Sequence, residues 1–366
     1  MIIIYIALFT FFILSCLLRK SRILMVLQFT WCWLLYGLNI GGADYIGNET
    51  IYLAGSYLSY GDISITSTWF ADLLYIIFNR LNFSYTEFNL VTGLIAFGLI
   101  FFVIWKVSKI PNIAYAMLMV YPMSEFVIQK RFFLAISAVI LGIYLFSIMK
   151  NKVKKNIALF MCVIIATGLH FSAAFYITLF YMNIDDKRGW KYKMKIVLVL
   201  GLLGILAIFI GIQAGLISQV KLTNYLAGET AYISWYKIPY FFLLQIYLYY
   251  ITFITFKRKR FTTVFEKNFK SYNELLICLI PTYFINTIFR RYYIHLMPLN
   301  YLIMAEEYIL NFREKKSLLV HVALFLNLFI IIYLAFIETR ILGDIGFDKL
   351  IVDLYRNNIL FKYFII

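Results

Sequence analysis

Residues 1–22 read MIIIYIALFTFFILSCLLRKSR. The run from Met1 to Leu18 carries no charge and closes on Arg19, Lys20 and Arg22. A helix needs roughly 20 mostly apolar residues to cross a bilayer core. No basic residue precedes the run and no small-residue cleavage site follows it. It therefore reads as a first transmembrane helix with a cytoplasmic stop, not as a removable signal peptide. The same criterion, carried outward along the chain, gives spans near 2–18, 23–40, 88–106, 111–128, 132–149, 196–214, 238–256, 273–289, 292–310 and 318–337.

Composition agrees with that reading. Of 366 residues, 63% are hydrophobic and 14% are charged, too few polar side chains to cover a water-soluble fold of this length. Soluble enzyme, disordered and fibrous classes are excluded. The expected fold is all-α: a polytopic transmembrane helical bundle of about 10–12 membrane segments, some broken or re-entrant, with two outer-face loops. Residues 1–337 form a single transmembrane domain, without internal repeats. Residues 338–366 form a tail with the pattern of an interfacial amphipathic helix. Cys16, Cys32, Cys162 and Cys278 are spread through apolar stretches and read as packing residues.

Positive charge sets the orientation. With the N-terminus outside, basic clusters fall inside at 19–22, 106–109, 150–155, 187–195, 257–270 and 313–316. The formal excess of +16 then lies on the inner side, so nucleic-acid binding is not needed to explain it. This works only if residues 156–182 enter and return to the same side, as a hairpin broken near His170. Residues 69–83, with Asp72 and Arg80, read as amphipathic or re-entrant.

Several outer residues stand out against this background. Loops 41–68 and 215–237 are rich in Tyr, Thr, Ser, Asn and Gly, which suits hydrogen bonding to sugars and stacking on them. Abundant Tyr (30 residues) would also populate an interfacial aromatic belt. Lys130-Arg131 and Arg290-Arg291 sit in tight outer turns, against the inside bias. A pair of guanidinium forks at one depth could clamp a pyrophosphate; the bland alternative is snorkelling to headgroups or pairing with Glu125. His170 lies in an apolar context beside Gly168 and Ser172. His295 falls one helical turn after Arg291. Asp44 and Glu49, flanked by Tyr45 and Tyr52, follow the second span and could orient or deprotonate a hydroxyl. No phosphate-binding glycine loop, paired-His zinc helix or nucleophile elbow is present, so neither metal nor cofactor is expected.

Three patches carry a resemblance. Gly42-Ala43-Asp44-Tyr45 with Tyr52, Lys130-Arg131-Phe132-Phe133-Leu134-Ala135, and Gly168-Leu169-His170-Phe171-Ser172-Ala173 resemble the EpsG-like group of Wzy-type polysaccharide polymerases (O-antigen or exopolysaccharide). Arg290-Arg291-Tyr292 is similar to the late outer-face arginine of such enzymes. Phe132 departs from the pattern, since many members have a polar residue after the Arg. The resemblance implies a membrane glycosyltransferase joining undecaprenyl-pyrophosphate-linked oligosaccharide units on the outer face of the bacterial inner membrane. On that basis Arg131, Arg290 and Arg291 bind pyrophosphate, and His170 or Asp44 serves the acceptor hydroxyl. Lys130, Tyr45, Glu49, Tyr52, Tyr292 and His295 line the substrate. Membrane lipid and a chain-length regulator protein are the further candidate partners. An O-antigen ligase uses the same donor, with loss leaving polymer on its carrier. A flippase or other transporter is the non-enzyme alternative, disfavoured because no halves match.

Overall fold

A computed structural model of the chain describes residues 2–41, 44–60, 68–183, 263–277, 291–310 and 353–364, with scattered positions between 192 and 255 and at 279. Regular structure among these residues is all helical. In chain order the helices are α1 (Ile2–Leu17), α2 (Arg22–Gly37), α3 (Tyr45–Ala54), α4 (Trp69–Arg80), α5 (Tyr85–Val107), α6 (Pro111–Val120), α7 (Met123–Ile128), α8 (Lys130–Ile148), α9 (Lys152–Leu169), α10 (Val264–Leu276), α11 (Arg291–Ile294), α12 (Met297–Leu310) and α13 (Asp353–Arg356). 3₁₀ turns cover Gly55–Tyr57, Phe171–Asn183 and Phe361–Phe364. An isolated antiparallel bridge joins Asn39 and Asn358.

Two of these helices, α5 and α8, are long and apolar enough to cross a membrane, and α1 and α6 are apolar but shorter. The exposed side of α1 is a stripe of Ile3, Ile6, Phe9, Ile13 and Leu17, at helical spacing. A soluble protein would put polar residues there, so the stripe suits contact with lipid. The spans expected near 196–214, 238–256, 273–289 and 318–337 lie wholly or largely outside the described residues.

The chain divides into two compact units: Met1–Asp62, Ala71–Ile140 and His295–Ile366 in the first, Ile63–Phe70 and Leu141–Ile294 in the second. In the first unit, α2 packs on α5 and α6, while α1 and α12 pack on α6. α5 starts from a capping box: Ser84 Oγ accepts from Glu87 N and Glu87 accepts from Ser84 N. Its buried positions include Phe88, Thr92, Ala96, Ile100 and Val103, one face of a 3.6-residue period. The α1–α2 corner is tied by amides. Gln28 Nε2 donates to Ser15 Oγ (2.8 Å) and Asn112 O (3.0 Å), and Asn112 Nδ2 donates to Leu18 O (2.7 Å). Glu306 accepts from Ser108 Oγ and Lys109 N where α6 begins. That is a favourable place for a carboxylate, next to the unpaired N–H groups of a helix start.

Two expected spans are broken, each at a proline. Residues 111–128 divide into α6 and α7 at the cis Tyr121-Pro122 bond. Residues 292–310 divide at His295–Leu296, and Pro298 has no N–H to give Ile294 O. His295 therefore does not continue the turn that begins at Arg291.

In the second unit, α9 ends at Leu169, His170 is extended (φ −153°, ψ 117°), and a 3₁₀ segment runs back along α9. Asn183 Nδ2 donates to Asn156 Oδ1 (3.0 Å), joining the far ends of the two legs. Each leg is roughly 26 Å long at the usual rise per residue. Ala173, Tyr176, Leu179 and Met182 form a buried row at every third position, the eclipsed row of a 3₁₀ helix.

Close approach of α2 and α5 depends on a glycine. A Cβ on Gly93 would lie 2.6 Å from the Tyr36 ring, while one on Gly98 would meet nothing. Gly93→Ala should cost about 1–3 kcal/mol. Gly98→Ala on the same helix should be neutral or stabilising by up to about 1 kcal/mol. Thermal unfolding of both variants in one detergent checks the difference.

Candidate functional site

The first unit presents the Gln129–Arg131 turn. Pro122 ends α6, the short α7 closes at Gln129, and α8 starts at Lys130. Gln129 Nε2 donates to Glu125 Oε2 (2.6 Å), so this carboxylate serves the turn itself. Lys130 points inward and is 4% exposed. Its Nζ donates to Asn39 O (3.0 Å) and lies over the rings of Tyr36 (5.2 Å), Tyr45 (5.4 Å) and Tyr85 (5.8 Å). Three ring faces and a carbonyl stand in for the water that an ammonium loses on burial. Glu49 lies within electrostatic reach of it. Tyr36 donates back to Lys130 O (3.2 Å), which fixes the turn to α2. Arg131, the next residue, is half-buried, and it and Asp72 lie within electrostatic reach of the Tyr75 hydroxyl.

α3 supplies the neighbouring polar groups. Asp44 stands exposed before its first turn and makes no side-chain cap. Tyr45 donates to Glu49 Oε1 (3.2 Å); burial and that carboxylate push the Tyr45 hydroxyl above its ordinary range. Tyr52 is 0% exposed, and its rings of contact are Tyr75, Tyr85 and Phe88. Its hydroxyl donates to Phe83 O (2.7 Å). No face of Tyr52 is left for a sugar, which corrects its expected role. His295 is likewise enclosed at 0% exposure, against Phe126 and Phe132 (4.4 Å between centroids). Lys130, caged as above, is a holding group and not an open anion contact.

The second unit presents the His170 turn. Ser172 Oγ lies 2.6 Å from His170 Nδ1, and Ala173 N donates to His170 O (2.8 Å). Gly168 lets this break approach Trp69, since a Cβ there would fall 2.6 Å from the indole. Tyr292 docks on the same turn. It donates to Ser172 O (3.0 Å), stacks on Phe175 (4.4 Å), and accepts at its carbonyl from Tyr176 (3.3 Å). Half-buried Arg291 is thus carried beside the His170 turn by its sequence neighbour.

Of the residues singled out above, the structure groups Lys130, Tyr45 and Glu49 with Arg131 adjoining, and separately His170 with Tyr292 and Arg291. Arg290 and loop 215–237 lie outside the described residues. Sequence reading missed Tyr36, Asn39 and Tyr85 around Lys130, because a cage drawn from three helices leaves no local spacing. It quoted Ser172 without a task for it. No group of three metal-ligating side chains occurs among the described residues.

A family model described as the EpsG family matches residues 22–345. No curated protein and no solved structure matches the chain.

Tyr292→Phe removes the donor to Ser172 O and should destabilise by about 1 kcal/mol. Gly168→Ala forces the Trp69 indole to move and should cost about 1–3 kcal/mol. Thermal melting, with tryptophan fluorescence reporting the displaced indole, checks both.

Proposed function

The chain belongs to the EpsG family, linked to exopolysaccharide biosynthesis, and on that premise we propose that it is a polysaccharide polymerase of the bacterial inner membrane, a multi-span helical bundle. Its substrate is an undecaprenyl-pyrophosphate-linked oligosaccharide. The growing chain leaves its carrier and is transferred to the terminal sugar of an incoming unit on the outer face. The bond broken joins the anomeric carbon to the pyrophosphate oxygen. The bond formed joins that carbon to an acceptor hydroxyl oxygen.

The observation that carries the reading is the His170 turn: a histidine in a helix break, held at Nδ1 by Ser172, with Tyr292 and its neighbour Arg291 docked alongside. With Nδ1–H donating to Ser172 Oγ, the lone pair sits on Nε2, the form that accepts a proton from an acceptor hydroxyl. As the glycosidic bond breaks, negative charge grows on the pyrophosphate, and guanidinium groups placed there in advance lower the barrier. Arg291 fills that role beside His170. Arg131, half-buried at the start of a membrane-length helix, is the cation of the first unit's site. Exposed Asp44 and the pair Tyr45–Glu49 face the sugar, while Lys130 holds its turn in place.

The test uses purified protein reconstituted with a synthetic lipid-linked repeat unit. Wild type should release carrier pyrophosphate and give a ladder of chain lengths. Arg291→Ala and Arg131→Ala should each slow synthesis by about 10²–10³, the usual loss for one oxyanion donor. His170→Ala should lose about 10²–10⁴. In cells these variants leave single capped units in place of polymer. A normal ladder from Arg291→Ala or His170→Ala removes that residue from the reaction. Polymer left on its carrier would mark a ligase.

A further inference from the structure

Residues 353–364 lie beyond the stretch that the family description matches. Their sequence carries the pattern of an interfacial amphipathic helix. In the structure they form two short helical turns around Asn358, docked on the end of α2. The last carbonyls of a helix need donors. Asn358, 0% exposed, supplies them: its Nδ2 donates to Leu34 O (3.0 Å) and Leu35 O (3.1 Å). Its Oδ1 accepts from Leu360 N and Phe361 N, both at 3.0 Å, which shapes the tail itself. Ile359 N donates to Leu38 O (3.0 Å), and Ile40 N to Asn357 O (3.0 Å). Asn39 Nδ2 donates to Leu354 O (2.6 Å). Trp31 packs on Phe361 (4.5 Å) and Tyr355 (6.2 Å). Asn39, fixed on this side by the tail, gives its carbonyl to Lys130 Nζ.

We propose that Asp353–Phe364 is an exoplasmic latch on the Lys130–Arg131 turn, with Asn358 as its positioning residue. The side of the membrane follows from α2. One end of α2 adjoins the basic stop at Arg19–Arg22, and the tail docks at the other, about 24 Å away. The hold on the turn follows from Asn39, which is bonded to the tail on one side and to Lys130 on the other. The effect of the latch on polymer synthesis rests on the function proposed above. Its location and its hold on Lys130 do not.

Two measurements test the latch. In spheroplasts, a membrane-impermeant maleimide is applied to Tyr363→Cys, at a position 70% exposed, with unsubstituted protein as the blank. Lys152→Cys, in the basic cluster at the start of α9, is the inner control. Tyr363→Cys should label without permeabilisation and Lys152→Cys only after it. Labelling of Tyr363→Cys only after permeabilisation overturns the proposal. In purified protein, an amine-reactive reagent is followed at Lys130 by mass spectrometry, with exposed Lys152, outside the tail, as the internal reference. Lys130 should react at least tenfold faster in Asn358→Ala than in wild type. Phe361→Ala, which loosens the tail through Trp31 and leaves the amide in place, should show a smaller rise. An unchanged Lys130 rate in both variants sinks the latch. Faster Lys130 labelling with an unaltered polymer ladder keeps the latch and removes this turn from the polymerase reading.

Discussion

A helix that stops in apolar surroundings leaves carbonyls and N–H groups that no water can reach, and every such stop must supply its own partners. The organisation of this protein follows from that constraint. Where α2 stops, the amide of Asn358 takes two of its carbonyls. Where α9 stops, the backbone turns at His170 and is gathered by Ala173 and Tyr292. Where α6 stops, Pro122 starts a short helix whose end is steadied by Glu125 and Gln129. Polar side chains therefore collect at the breaks, and the residues with chemical potential stand among them.

Burial sorts these polar groups into two kinds. Lys130, Tyr52 and His295 are enclosed, and their contacts are rings and carbonyls of the protein. Enclosing an ammonium is tolerable only because Asn39 and three tyrosine faces replace its hydration. Arg131, Arg291 and His170 are half-buried. A planar guanidinium can be held along one edge while another edge meets an anion, which a caged ammonium cannot do. The adjacent Lys130 and Arg131 thus differ in setting, the lysine enclosed and anchoring the turn, the arginine half-buried and in reach of the Tyr75 hydroxyl.

Much of this was legible in the chain. Apolar runs marked α1, α2, α5 and α8 close to their observed limits, because a run without charges has few places to end. The charge bias required a return near His170, and Gly168-Leu169-His170-Phe171-Ser172 is where the helix breaks. Tyr121-Pro122 and Pro298 were equally visible signals. The apolar runs continue through both prolines, so hydropathy alone does not show where these helices break. Reading Tyr52 as a sugar platform followed from composition, which cannot tell an exposed ring from one packed under Tyr75 and Phe88.

The sequence by itself determined the apolar helices and the match to the family over residues 22–345. Those properties reside in local runs of residues and in their transfer between water and lipid. Only the tertiary structure decided that Lys130 turns inward to Asn39, that Tyr292 docks on Ser172, and that the last residues of the chain close over α2. These contacts join residues far apart in the chain, 91 positions for Lys130–Asn39 and 324 for Asn358–Leu34. A side chain's partner at such a distance is set by which helix faces meet, and no local pattern encodes that.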